Sequence, residues 1–181
     1  MGLKRAKASG ALVLVGCILL ITTGCMSGTD QHNHNDGPPK SIRDLGKVGS
    51  VYLETVKRFP KSLPLPAGQS FPMDVPSSWN PKAVVDSSYG QTLAYFYWRC
   101  SWSARFLQAY EASDQVGQTT ALDQLEKWTT TSFFREHVVE DPNAGWQQLL
   151  IAPARLGDVT MMRAFDTADC GYYRQVNGKQ P

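Results

Sequence analysis

The stretch Ser88–Ser113, SYGQTLAYFYWRCSWSARFLQAYEAS, decides the fold. On a helical wheel Leu93, Phe96, Tyr97, Cys100, Ala104 and Leu107 share one face. Tyr95, Trp98, Trp102, Phe106 and Ala109 share the opposite one. Arg99, Ser101, Ser103, Arg105 and Gln108 fall on the two narrow flanks between them. A helix that is apolar on two opposed faces is buried between layers, so this segment is expected to form the spine of a helical domain.

One face of that spine is the candidate binding surface. Tyr95, Trp98, Trp102 and Phe106, with Arg99 and Arg105 beside them, form the possible binding set, provided the fold leaves them uncovered. The two arginines are the only charges across the body of the helix. They are expected to pair with acidic residues of neighbouring helices or to stack on aromatic rings.

Cys100, between Trp98 and Trp102, poses a separate question. Cys-Ser-Trp echoes the surroundings of a papain-like nucleophile, whose signature is C-G-[SA]-C-[WY]. The first cysteine and the glycine are missing here, and Cys100 lies about three turns into the helix on an apolar face that disfavours a thiolate. Nothing ties His137 to it, and Glu136-His137 reads as a solvated helix end. Asp166 and Asp169 read as a solvated helix face. No catalytic residue is assigned.

Working outward, residues 41–59 carry Leu45, Val48, Tyr52, Val56 and Phe59 at helical spacing, with Gly46 and Gly49 weakening the first half. The helix is therefore expected to begin as late as Ser50 and to end at Pro60. Residues 60–87 are too rich in proline for a helix or central strand and read as an extended strap held by Leu63, Leu65, Phe71, Val75 and Trp79. Beyond the spine, a helix is expected from Thr120 towards Phe134. Another should follow Asp141-Pro142, bury Trp146, Leu149 and Leu150, and end or kink at Pro153. The last would run from Asp158, use Met161, Met162, Phe165 and Ala168, and be capped by Gly171. Residues 172–181 read as a flexible tail. The expected fold is all-α: four or five helices, a Pro-rich strap and a core spanning 88–171.

The chain start carries a different kind of signal. Lys4, Arg5 and Lys7 precede an uncharged, mostly apolar run from Ala11 to Thr23, too short to cross a bilayer but suited to a secretory signal. The run stops at Thr23-Gly24-Cys25. This resembles a bacterial lipoprotein precursor, in which residues 1–24 would be removed and Cys25 lipidated. Cys17, in Leu14-Val15-Gly16-Cys17, is the alternative acceptor. The resemblance implies a chain held at the extracytoplasmic face of the cell membrane by its N-terminal lipid. Residues 25–40 are polar and read as a disordered tether. His32 and His34 lack a third ligand there, so no metal centre and no cofactor are expected.

Export bears on the cysteines. Cys17 and Cys25 belong to the signal, which leaves Cys100 and Cys170; an even pair in an exported domain favours a disulfide. The combination of strap, Cys-bearing aromatic helix and Cys-bearing last helix also resembles small lipoproteins of Gram-positive bacteria, a likeness that carries no function with it. The chain has 18 basic and 16 acidic residues; without Lys4, Arg5 and Lys7 the balance is 15 to 16, a net charge of −1. No basic block remains to bind nucleic acid. The expected function is a non-catalytic binding or accessory module of the cell envelope, with an envelope protein as its partner; the alternative is an envelope enzyme or enzyme inhibitor.

Overall fold

The computed structural model describes residues 41–42, 45–75, 85–86, 88–138 and 145–178. The signal segment, Cys17, Cys25, the tether with its histidines, Trp79 and the Asp141-Pro142 start lie outside the described residues. Within them the protein is all-α. Its helices are α1 (Leu45–Lys57), α2 (Tyr89–Glu111), α3 (Gln115–Glu126), α4 (Ser132–His137), α5 (Ala152–Arg155), α6 (Thr160–Asp169) and α7 (Gly171–Val176). A two-rung antiparallel ladder joins β1 (Ser41–Ile42) to β2 (Val85–Asp86). Residues 41–42 are thus strand rather than the start of a helix. Among the described residues no helix is long and apolar enough to cross a membrane.

The two-faced spine forms as the wheel requires. Helix α2 has 23 residues, about 35 Å of length, and packs against α1, α3, α6 and α7. Trp98, Trp102 and Phe106 meet Leu122, Leu125, Trp128, Phe133, Ile151 and Met162 in the largest part of the core. Tyr97 and Cys100 meet Cys170 and Tyr173 on the other side.

Helix α1 begins at Leu45, earlier than expected. Gly49 is used for packing: a Cβ there would lie 3.1 Å from Val75 of the strap. The crossing of α1 with α2 is tighter still. A Cβ on Gly90 would come within 2.6 Å of both the Tyr52 amide nitrogen and the Val48 carbonyl oxygen. Backbone cannot move aside as a side chain can, so Gly90→Ala should lower stability by about 3 kcal/mol. A thermal melt of the variant that superimposes on the parent's would show that the helices part freely.

The turn after α2 explains a second difference. Ser113 adopts a left-handed conformation, φ 56°, while the Ser113 amide donates to the Tyr110 carbonyl and the Asp114 amide to the Ala109 carbonyl. These two bonds close the helix in the geometry that usually carries glycine. Asp114 then caps α3 at once, its carboxylate accepting from the Gly117 amide at 2.9 Å. Helix α3 therefore starts at Gln115, not at Thr120. The same closure recurs after α5 with Gly157, φ 89°, in the left-handed position.

Pro153 does not end its helix. The preceding turn, Gln147–Ile151, is wound as a π-helix, and α5 continues through the proline. This winding leaves Leu149 exposed, against expectation, and buries Leu150 and Ile151. On α6 only Met162 is fully buried; Phe165 is half-buried, while Met161 and Ala168 face solvent. Asp158 caps α6 through the Thr160 amide. Gly171 opens α7 instead of closing α6, and the expected tail is helical to Val176 with Tyr173 buried.

Candidate functional site

The candidate surface on α2 is core. Tyr95, Trp98, Trp102 and Phe106 are all buried, with Trp98 and Phe106 at 0 % exposure. The strap covers part of this face alongside α3 and α4: the indole N–H groups of Trp98 and Trp102 both donate to the Pro64 carbonyl, at 2.9 and 2.8 Å. The proposed binding set is therefore corrected. Tyr95 reaches only the margin of an open groove of about 780 Å³ between α1 and α4. Trp102 and Arg105 border a smaller hollow of about 260 Å³. Arg105 pairs with Asp114 at 3.1 Å, and Asp114 is held below the usual carboxylate range chiefly by the Gly117 amide.

Arg99 stacks as expected of a flanking cation, on four rings contributed by four parts of the chain. Its Cζ lies 4.0 Å from the Phe96 centroid, 4.3 Å from Phe165, and 5.0 Å from both Trp128 and Trp146. Asp169 stands 3.7 Å away. The side chain is nearly buried, and burial pulls the guanidinium down to about 9, with Asp169 acting in the opposite sense. It stays charged at neutral pH, stitching α2 to α6 and to the segment around Trp146.

The strap is fastened a second time by three tyrosines from three helices. Tyr97 donates to the Ser70 carbonyl, Tyr52 to Pro72 and Tyr172 to Asp74, at 3.2, 2.8 and 2.8 Å. The three acceptors alternate along the strap at residues 70, 72 and 74. Burial raises Tyr52 and Tyr172 above the usual tyrosine value; Tyr172 also pushes Tyr52 up, while their mutual hydrogen bond lowers Tyr172. A raised folded-state pKa means the neutral hydroxyl belongs to the fold. Stability is then intact below the unfolded value near 10 and falls as pH rises past it, by about 1.4 kcal/mol per pH unit for each such tyrosine. In an alkaline titration followed by phenolate absorbance, Tyr52 and Tyr172 should ionise together with unfolding. Ionisation of all the tyrosines near the ordinary value, with the fold intact, would contradict the latch.

Between the first half of α2 and the α6–α7 junction lies a groove of about 740 Å³. Tyr89, Thr92, Phe96 and Tyr97 line one wall; Asp169, Tyr172, Tyr173 and Gln175 line the other. The Cys100–Cys170 disulfide, with a Cα separation of 5.5 Å, ties the two walls together. Tyr97 packs against Tyr172 and Tyr173 at 6.0 and 5.3 Å between centroids. The size and the mixture of rings with a few polar groups suit a small-molecule site.

This groove was missed because Tyr172 and Tyr173 were assigned to a flexible tail. The adjacent Tyr172 and Tyr173, two residues past Cys170, are the available signal, since disordered segments are poor in aromatics. The other titratable candidates are placed apart by role. His137 stacks on Phe133, and Asp166 pairs with Arg174 at 3.3 Å. Among the described residues no group of three or more His, Cys, Asp or Glu side chains is arranged to hold a metal. In comparisons with known proteins the chain matches no family model, no curated protein and no solved structure.

Proposed function

We propose that this is an exported, lipid-anchored protein of the cell envelope whose helical body is a non-catalytic binding module. The Cys100–Cys170 disulfide carries the reading. Cystines persist in oxidising compartments outside the cytoplasm, where a lipoprotein-type signal over residues 1–24 would deliver the chain. The bridge also fixes the two walls of the α2–α6/α7 groove, so the ligand site is the part of the molecule it makes rigid. Cys25 is the lipid acceptor, with Cys17 the alternative. Residues 25–40 are the tether between the membrane and the body.

The test is metabolic labelling of the full chain with a palmitate analogue in a bacterial host. Label should appear in the membrane fraction, survive Cys17→Ala and disappear in Cys25→Ala. Loss in Cys17→Ala alone would move the acceptor. A chain that never takes label and stays in the cytoplasm with free thiols would sink the proposal.

A further inference from the structure

We propose that the groove between α2 and the α6–α7 junction takes a small organic cation, an ammonium or guanidinium head on an apolar body. This rests on the binding-module reading and names the ligand class for that same site. Three observations carry it. The first is the form of the walls. Tyr172 is half-buried and spends its hydroxyl on the strap carbonyl of Asp74, so what it offers a ligand is ring surface, while buried Tyr97 backs the groove from behind. With the half-buried Tyr89 and Phe96, Tyr172 gives the groove aromatic walls, whose negative faces attract cations.

The second is charge. Among the described residues Asp169 is the one carboxylate lining the groove, and its side chain is 47 % exposed. Its pair with Arg99 spans 3.7 Å, beyond hydrogen-bond length, so its oxygens retain acceptor capacity. Among the described residues no Lys or Arg lines the groove to favour an anion. The third is that the protein already binds a cation with this chemistry. Phe96 and Asp169, both in the groove wall, also hold the Arg99 guanidinium, 4.0 Å from the ring centroid and 3.7 Å from the carboxylate. Arg99 is then a competitor for Asp169, and removing it should favour an external cation.

The experiment uses the full chain in detergent micelles, titrated with choline and with its neutral isostere 3,3-dimethylbutan-1-ol, binding read from NMR shifts of the tyrosine rings. Choline should bind with a Kd below about 10 mM and at least about tenfold more tightly than the isostere. Asp169→Asn should weaken choline by about tenfold and leave the isostere unchanged. Arg99→Met keeps apolar bulk in the cage and should tighten choline several-fold, an effect that a merely structural arginine would not produce.

Equal binding of choline and isostere would reduce the groove to an apolar slot and overturn the proposal. So would the absence of choline binding to the folded, disulfide-intact chain, or shifts caused by a neutral sugar and not by choline. The outcomes are separable from those of the lipid anchor. Failure of palmitate labelling leaves choline binding untouched, and failure of choline binding leaves the label in place.

Discussion

Replacing both bridge cysteines, in Cys100→Ala/Cys170→Ala, should cost about 4 kcal/mol of stability, the chain-entropy value for a closed loop of 70 residues. Alanine is the appropriate replacement, because both sulfurs are buried and serine would add two hydroxyls without partners. A loss of that size is a large share of the 5–15 kcal/mol typical of a domain. Helix α7 is short and follows α6 with Cys170 alone between them, so this end should loosen first. Urea denaturation gives the total, and amide exchange in α6 and α7 locates it. A double variant within about 1 kcal/mol of the parent would mean that packing around Tyr97 and Tyr173 holds the end without the bridge.

The second large effect concerns Trp98. It is fully buried in the centre of α2 and also donates to the strap. Trp98→Ala should destabilise by about 4–5 kcal/mol, from lost burial and the cavity left behind. Trp98→Phe retains most of the bulk, and Trp102 still donates to the Pro64 carbonyl, so its cost should fall to about 1–2 kcal/mol. Chemical denaturation of the two variants side by side decides the matter. Equal losses would assign the role of Trp98 to its indole N–H; a small loss in the alanine variant would mean that the core refills around the gap.

How much of this was readable from the sequence divides along physical lines. The spine was legible because its periodicity is strong and two-sided, and the disulfide because only two cysteines fall in the body. The strap was legible as a strap because proline forbids the alternatives. Where it lay was another matter: which face of α2 it covers depends on the Pro64 carbonyl meeting two indoles 34 and 38 residues away. The early start of α3 was hidden because Ser113 holds a left-handed turn that sequence reasoning reserves for glycine. The groove was hidden for a related reason. Its second wall depends on α7, a helix of six residues with little propensity signal of its own, fixed by the bridge and by Tyr173 against Tyr97.

The five aromatic donors on the strap have a consequence for sequence tolerance. Every hydrogen bond they make to the strap is to a main-chain oxygen, at positions 64, 70, 72 and 74, and every residue type carries that oxygen. Information about the strap's path is therefore written in the helices that grip it. A library varied at Ser70, Pro72 and Asp74 should keep many folded members, whereas one varied at Tyr52, Tyr97 and Tyr172 should keep few, a contrast that sorting for protease resistance measures directly. At Ser70, Pro72 and Asp74 the strap can change its side chains and still lie in the same place.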